Sequence, residues 1–205
     1  IYGANGHGKV VLEIAEELGV SIDALIDDDA SKKYLFIYPI VQEVVVGADV
    51  VLALGNNITR KRVYSNNLDL NYISMVHPKS NLSKRVEIGE GRVVMAGATI
   101  NSCSVIGDHC IINTNASVDH DCVLDDFVHI SPNVALAGNV TVGEGTHIGI
   151  GASVIQGVKI GKWCIIGAGA VVVNDLPDYC TAVGVPAKPI KFHRPIFEEE
   201  IQKII

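Results

Sequence analysis

An aliphatic residue returns at every sixth position of the chain from Val76 to Val172. All seventeen of these positions hold Val, Ile or Leu, without a slip in register. The residue four places further on is usually small or β-branched, as at Ala98 and Cys110. A six-residue unit with one aliphatic and one small inward side chain is typical of a parallel β-helix. The pattern therefore predicts a triangular coil of about five to six turns, with no long loop between Ile88 and Val172.

Residues 1–75 follow a different pattern, in which short apolar runs alternate with helical segments. The segment KVVLEIAEELG has the apolar spacing of an amphipathic helix that ends at Gly19. The segments IYG, IDALIDDD, DVVLALGNN and NYISMVH indicate strands, and TRKRVYSNNLDL indicates a second helix. This alternation predicts a Rossmann-like α/β domain, in which helices pack on a small parallel sheet.

The remainder of the chain, residues 76–205, is predicted to form a second domain that consists of the β-helix and a C-terminal tail. The repeat ends near Val172, and we expect the following segment, NDLPDYCTAVGVPAKPI, to leave the coil. Four prolines lie between Pro177 and Pro195. The last ten residues, IFEEEIQKII, have the spacing of a short amphipathic helix.

The net charge limits which partners the protein can bind, and the cysteine content indicates in which compartment it is located. The formal net charge is −7 and the pI is about 5.4, which argues against a nucleic-acid or anionic-membrane surface. Five scattered cysteines without a CxxC pair indicate neither a disulfide framework nor a zinc knuckle. We therefore expect a reducing, cytoplasmic location, since no membrane span or signal peptide is visible. Because the chain begins at Ile1 without Met, we expect its first few residues to be missing.

Two histidines in the segment NASVDHDCVLDDFVHISPN are the main candidates for chemistry. In a coil of eighteen residues per turn, His129 stacks on His147, whereas His120 points outward or along a corner. Asp121 follows directly and can hold one ring nitrogen, which would make His120 a general base with a fixed tautomer. A solvated histidine beside a solvated aspartate is the alternative interpretation. Because nine residues are half a turn, His120 and His129 are expected on different faces of the prism.

Five segments, in this order, carry a resemblance that covers nearly the full length of the chain: GANGHGKV, GNN, SVDHDCVLDDFVHIS, AGNVTVG and VGVPAK. Together they resemble the bacterial sugar acyltransferases of the NeuD and PglD type, within the hexapeptide-repeat acetyltransferase superfamily. The resemblance implies a left-handed β-helix, a homotrimer and acetyl-CoA as co-substrate. It also implies N-acetylation of an amino sugar carried on a nucleotide, with no metal and no covalent acyl-enzyme.

The same resemblance implies roles in catalysis and in cofactor binding. His120 matches the catalytic base, and Asp121 matches the acid that polarises it, which is often Glu in the family. His129, Ile150 and Ala168 match positions that contact acetyl-CoA in a groove between neighbouring prisms. Four lysines are candidates for the phosphates of coenzyme A, with solvated surface side chains as the alternative: Lys159, Lys162, Lys188 and Lys191.

The N-terminal loop GANGHG joins a strand to a helix, so its backbone amides can face an anion or a sugar. Its glycine spacing differs from the GxGxxG fingerprint of dinucleotide-binding domains. By the resemblance, the nucleotide-sugar acceptor is held by this loop, by an acidic pair and by a glycine after the third strand: Asn5, Gly6, His7, Asp27, Asp28 and Gly55. His7 could instead be a helix N-terminal residue without a role in the reaction.

Three other functions are compatible with the sequence. An O-acetyltransferase that acts on sialic acid or another sugar would use the same base on a hydroxyl group. A non-catalytic scaffold or sugar sensor would need neither His120 nor Asp121. A metal-dependent protein of the γ-carbonic anhydrase kind would gather three histidines around zinc, and the chain offers His109, His120, His129 and His147. The acceptor sugar, the pathway and the range of acyl groups are not determined by the sequence.

Overall fold

The computed structural model describes residues 1–194 of the 205-residue chain. The terminal helix expected at residues 196–205 lies outside the described residues. Neither helix in the described part of the chain combines the length and the apolarity needed to cross a membrane. The elements of the first part are α1 (Gly6–Glu17), β1 (Leu25–Ile26), β2 (Tyr34–Leu35), β3 (Tyr38–Val41), β4 (Asp49–Val50), α2 (Asn57–Asn66) and β5 (Asn71–Tyr72).

These first elements form the small parallel sheet with helices that the alternating pattern predicts. β1 pairs in parallel with β3, and β4 pairs in parallel with β5. Tyr2 joins the two pairs through single bridges to Ile26 and Leu52. Helix α1 begins at Gly6, slightly earlier than its apolar spacing predicts, and a positive φ of 68° at Gly19 turns the chain away after it. The antiparallel hairpin of β2 and β3 is an addition that the apolar pattern does not predict.

From Met75 onward, two-residue strands recur every six residues. They are β6 (Met75–Val76), β7 (Asn81–Leu82), β8 (Glu87–Ile88), β9 (Val93–Val94), β10 (Thr99–Ile100), β11 (Val105–Ile106), β12 (Ile111–Ile112), β13 (Ser117–Val118), β14 (Val123–Leu124), β15 (His129–Ile130), β16 (Ala135–Leu136), β17 (Thr141–Val142), β18 (His147–Ile148), β19 (Ser153–Val154), β20 (Lys159–Ile160), β21 (Ile165–Ile166) and β22 (Val171–Val172).

Each of these strands pairs in parallel with the strand eighteen residues further on, which produces three faces. Face one contains β7, β10, β13, β16, β19 and β22, and face two contains β8, β11, β14, β17 and β20. Face three contains β6, β9, β12, β15, β18 and β21. Seventeen strands at three per turn make between five and six turns, as predicted. No helix or long loop interrupts residues 88–172, all of which the structure describes.

The aliphatic ladder forms the interior of the prism, as its register predicts. Every ladder position from Val94 to Val172 is buried, whereas Ile88 in the first turn is 38% exposed. Cys110 and Cys122 fill the small inward position, and burial raises the pKa of both thiols, that of Cys110 to about 12. Each fully buried aliphatic side chain contributes about 1.5–3 kcal/mol. The stacked interior therefore gives the corners of the coil a rigid support.

The corners of the coil are closed by left-handed residues in strict phase. Every sixth residue from Gly91 to Gly169 has a positive φ, and nine of these fourteen residues are Gly or Asn. Asp121, with a φ of 59°, occupies one of the remaining five positions. Asp tolerates this region better than most residues with a Cβ atom. The repeat thereby fixes the backbone on which the candidate residues His120 and Asp121 lie.

The first domain packs on the first strands of face three, which are β6, β9 and β12. The outward side chains of Met75, Val93 and Ile111 are buried and belong to one apolar cluster with Ile14 of helix α1. Further along the same face Ile165 is 47% exposed, so the cover over this face is less complete there. The two domains therefore share a core, and the loops of the first domain are held beside face three.

Helix α2 packs on the corner between faces two and three, where residues eighteen apart form a column. The rings of His109 and Phe127 stack with centroids 5.1 Å apart, and Tyr64 of α2 lies 4.4 Å from His109. Arg60 of α2 is 1% exposed and donates to the carbonyl oxygens of Leu54, His109 and Phe127 at 2.8–2.9 Å. The full column is Gly91, His109, Phe127, Gly145 and Trp163.

The segment after Val172 does not leave the coil at once, so this prediction is wrong. β23 (Cys180–Val183) pairs in parallel with β21 and extends face three, and β24 (Lys188–Phe192) returns antiparallel to it. Cys180 and Ala182 alternate inward and are fully buried, which is the two-residue period of a strand. Pro177, Pro186 and Pro189 do not prevent this pairing, because they lie in the turns and on the edge strand β24, where a missing N–H is tolerated.

Candidate active site

His120 lies on an exposed corner of the coil between faces one and two. Its turn follows β13 and precedes β14, and its side chain is 60% exposed. One turn along the coil, Gly138 leaves space for the ring, because a Cβ atom there would lie 2.6 Å from ring atoms of His120. The imidazole therefore rests on the backbone of the neighbouring turn, with one edge open to a ligand.

Asp121 holds the imidazole in one tautomer. His120 Nδ1 lies 2.7 Å from Asp121 Oδ2, so Nδ1–H donates to the carboxylate and Nε2 remains available to accept a proton. The hydrogen bond to Asp121, followed by the charge of Asp119, raises the pKa of His120 above its usual value. Asp119 is itself fixed by a 2.8 Å hydrogen bond from Asn101 Nδ2. These contacts give His120 the fixed tautomer and the raised pKa that a general base would need.

Gly138→Ala is expected to lower kcat by roughly tenfold or more while leaving the melting temperature nearly unchanged. The three atoms nearest to the new methyl group all belong to the ring of His120, which can swing away at little cost, so the fold survives but Nε2 moves. Steady-state kinetics and thermal unfolding would measure the two effects. Gln156→Ala, one turn further along the same corner, is the matched control and should change neither quantity. Full activity in Gly138→Ala would show that the ring position is unimportant.

His129 lies on face three and is only 7% exposed, beneath the loop that follows β4. Its ring stacks on that of His147 with centroids 4.5 Å apart and an interplanar angle of 3°, as the eighteen-residue period predicts. Nδ1–H donates to the carbonyl oxygen of Gly55 at 3.1 Å, and Nε2 accepts from Asn113 Nδ2 at 3.2 Å. The pKa of His129 lies well below the usual histidine value, first because the ring is buried and further because of the charge of Arg60. His129 is therefore a neutral, doubly hydrogen-bonded side chain.

The structure separates the two histidines of the opening motif, as half a turn of coil requires. His120 lies on the corner between faces one and two, and His129 lies on face three. Ile150 and Ala168 follow face three on successive turns and are exposed, Ile150 by 53%. Gly169 N–H donates to the carbonyl oxygen of Ile150 at 2.8 Å, so the two turns stack closely. The four candidate lysines are all exposed: Lys159, Lys162, Lys188 and Lys191.

Two of the expected acceptor residues, Asn5 and Asp27, are joined by a residue that the sequence does not single out. Lys32 Nζ lies 2.8 Å from Asn5 Oδ1 and 2.8 Å from Asp27 Oδ2. Asp27 also accepts hydrogen bonds from the backbone N–H groups of Ala4 and Asp29, both at 3.1 Å. Its hydrogen bonds outweigh the effect of burial and lower the pKa of the carboxyl group. The carboxylate thus ties the glycine-rich loop to the end of β1.

The remaining acceptor candidates fall into an exposed pair, Gly6 and Asp28, and a half-buried pair, His7 and Gly55. Asp28 is exposed, with one oxygen 3.3 Å from the hydroxyl of Tyr2, and Gly6 begins helix α1. His7 is near the interdomain boundary, where its ring centroid lies 6.3 Å from that of His129. Burial lowers the pKa of His7 to about 4. Because His129 also donates to the carbonyl of Gly55, His129 connects the loop after β4 with the β-helix.

The histidines considered for a zinc site do not converge. His109 packs among aromatic rings in the corner column, where burial lowers its pKa to about 4. His129 and His147 stack on face three, away from the exposed corner of His120. Across residues 1–194, no three side chains of His, Cys, Asp or Glu are grouped so that they could hold a metal ion.

Comparisons with known proteins match both halves of the chain. A family model of the PglD N-terminal domain matches residues 1–66, and a model of the bacterial transferase hexapeptide matches residues 139–174. A crystal structure of a variant perosamine N-acetyltransferase from Caulobacter crescentus, with CoA and GDP-perosamine, is 40% identical with a TM-score of 0.87. That alignment covers 93% of this chain and 95% of the other. The chain belongs to the sugar acyltransferases of the PglD and NeuD type.

Two further members of this PglD and NeuD family are similar to the chain. The acetyltransferase domain of PglB from Neisseria gonorrhoeae, in complex with acetyl coenzyme A, is 40% identical with a TM-score of 0.87, covering 92% of this chain and 97% of that one. The UDP-N-acetylbacillosamine N-acetyltransferase of Bacillus subtilis is 40% identical over 109 residues. That match spans 47% of this chain and half the length of the relative. Because the chain belongs to this family, its coil is a left-handed β-helix and its reaction is acyl transfer.

Three polar residues that contact the candidate site residues or their neighbours were not predicted from the sequence. Lys32 joins Asn5 to Asp27, Asn113 binds His129, and Arg60 holds the carbonyl of Leu54 just before Gly55. The contact of Asn113 with His129 could have been predicted, because Asn113 lies sixteen residues before His129, which is nearly one turn of the coil. Lys32 and Arg60 lie in ordinary charged segments, so no spacing rule distinguishes them from solvated side chains.

Proposed function

We propose that this protein transfers the acetyl group of acetyl-CoA to the amino group of a sugar carried on a nucleotide. The observation that carries the proposal is the His120–Asp121 pair, which places an oriented base with a free Nε2 on an exposed corner. Membership of the PglD and NeuD family supports the substrate class, because related structures contain CoA or acetyl-CoA, and several also contain GDP-perosamine.

In the proposed mechanism, the amine nitrogen attacks the thioester carbonyl carbon and a C–N bond forms. His120 Nε2 accepts the proton lost by the amine, while Asp121 stabilises the resulting imidazolium. The C–S bond then breaks, and the coenzyme A thiolate takes up a proton, which His120 can return. No acyl-enzyme is required, and four of the five cysteines are buried. Backbone N–H groups are proposed to steady the developing oxyanion, because both ring nitrogens of His129 already make hydrogen bonds within the chain.

We propose that the cofactor lies along the edge of face three, against Ile150 and Ala168, with His129 at its reactive end. Because His120 is on a different corner of the same chain, this placement requires His120 from a neighbouring copy to face the groove. A homotrimer would supply that neighbour and would exclude water from the base. Sedimentation that finds a monomer at micromolar concentration would contradict the shared groove.

The acceptor is proposed to lie in the first domain, against Asn5 to His7, Asp28 and Gly55, with Asp27 fixing the loop. This location supports an amino-sugar reaction at the shared groove, because His7 and Gly55 adjoin His129. We also propose a cytoplasmic location, because the five cysteines are free thiols and free thiols persist in reducing compartments.

The function can be tested by following the release of coenzyme A thiol with a panel of acceptors. UDP- and GDP-linked 4-amino sugars are expected to give thiol release and an acetamido product detectable by mass spectrometry. The same nucleotide sugars with a hydroxyl in place of the amine are the control and should give none. Turnover with free sialic acid and with none of the nucleotide sugars would instead identify an O-acetyltransferase. If none of the sugars is acetylated, the proposal is excluded.

A further inference from the structure

Lys32 is held at the meeting point of the acceptor loop and the end of β1. Its Nζ atom donates to Asn5 Oδ1 and to Asp27 Oδ2, each at 2.8 Å. Its side chain is 25% exposed, and the hydrogen bond between Nζ and Asn5 lies at the surface. An ammonium group has three N–H donors, and these two contacts use two of them. One donor therefore remains for a ligand, without loss of either existing hydrogen bond.

The segment DDDASK folds so that Lys32 turns back over the site. Asp29 accepts hydrogen bonds from the N–H group of Ser31 at 3.0 Å and from its hydroxyl at 2.6 Å. The N–H group of Lys32 then donates to the carbonyl of Asp29 at 3.1 Å, which closes the turn. This side-chain-supported turn is favoured by Asp at its first position. The position of Lys32 is thus set by local sequence as well as by its two partners.

At this position an anionic ligand would be attracted by Lys32 and by the start of helix α1, and not by the surrounding side chains, which are acidic. Asp27, Asp28 and Asp29 surround the turn, and they would repel a phosphate if no cation were beside them. Asn5, the N-cap residue of α1, makes no side-chain cap and binds Lys32 instead, and the first turn of α1 carries no acidic residue. The ammonium group accordingly lies where a ligand would meet both the cation and the start of the helix.

We propose that Lys32 is a specificity-determining residue that binds the diphosphate of the nucleotide-linked acceptor through its third N–H donor. This inference rests on the proposed function, since it concerns the same acceptor site. It gives the two neighbouring acids separate tasks. Asp27 fixes the loop and the lysine, because its oxygens are occupied within the chain, whereas exposed Asp28 remains available to hydroxyl groups of the ligand.

The test compares Lys32→Met with the adjacent exposed control Lys33→Met by isothermal titration calorimetry. UDP, GDP and dTDP are titrated, together with the corresponding nucleosides. Lys32→Met is expected to weaken the tightest-binding diphosphate roughly tenfold or more, which is the scale of a charge-assisted hydrogen bond. The nucleoside should lose less than about twofold, and Lys33→Met should match the parent protein for both.

Two results would overturn the inference, and they differ in what they imply for the function. If Lys32→Met weakens the nucleoside and its diphosphate equally, Lys32 is only a clamp for the loop, and the proposed acceptor site still stands. If the parent protein binds none of the three diphosphates, the acceptor location fails together with the role of Lys32. A selective loss of diphosphate affinity at an unchanged melting temperature supports the proposal.

Discussion

Replacement of His120 by alanine is expected to lower kcat by roughly 10²–10⁴-fold, the usual contribution of a general base. The KM for each substrate should change little, because the ring acts on the proton and not on ground-state binding. His120 is 60% exposed and makes no contribution to the apolar interior, so the melting temperature should hold. Steady-state kinetics on the acceptor identified by the thiol assay would measure the effect. A variant with undiminished kcat would exclude His120 as the base.

Asp121→Asn provides the companion measurement, through the pH dependence of kcat/KM. The base must be unprotonated, so activity of the parent protein should fall as pH drops through the pKa of His120. Asp121 and Asp119 raise that pKa above the usual value. Loss of the Asp121 charge lowers the pKa, and the acidic limb of the profile should move to lower pH. The fall in kcat should be smaller than in His120→Ala, and an unmoved limb would mean that Asp121 does not tune the ring.

The fold could be predicted from the sequence to the extent that its information is local and periodic. The coil follows from a six-residue register that any single turn repeats, so seventeen strands could be placed without a structure. The His120–Asp121 contact was also predictable, because the two residues are adjacent in sequence. The strand at Cys180–Val183 was missed, since prolines around it suggested that pairing had ended. They are tolerated because they lie in turns and on an edge strand.

The rest of the candidate site depends on how the two domains pack together. No periodicity in the sequence predicts that packing. His129 was expected to contact the cofactor, and that role stays a prediction. The structure adds its hydrogen bond to Gly55, 74 residues away in sequence. Arg60 likewise reaches His109 and Phe127 across 49 and 67 residues. Such contacts form only when the first domain packs on face three. They therefore cannot be predicted from the presence of a charged residue in a polar helix.

Arg60→Met is expected to destabilise the protein by about 3 kcal/mol or more. The guanidinium group makes three hydrogen bonds, all to backbone carbonyls at the domain boundary: those of Leu54, His109 and Phe127. Methionine keeps much of the apolar volume but offers no donor, so three carbonyls lose their partner at about 1–3 kcal/mol each. Removal of a buried charge offsets part of this cost. That desolvation is the cause that lowers the pKa of Arg60 to about 10.

Chemical denaturation at neutral pH would measure this loss, with Arg85→Met as the matched control. Arg85 is exposed on the coil, and its replacement should stay within about 0.5 kcal/mol of the parent. The Arg60 variant should also raise the acceptor KM at temperatures where it remains folded, because Arg60 holds Leu54, beside Gly55. The acetyl-CoA KM should change less. Equal stability of the two variants would mean that water or another donor replaces the guanidinium, and Arg60 would then not be what joins helix α2 to the coil.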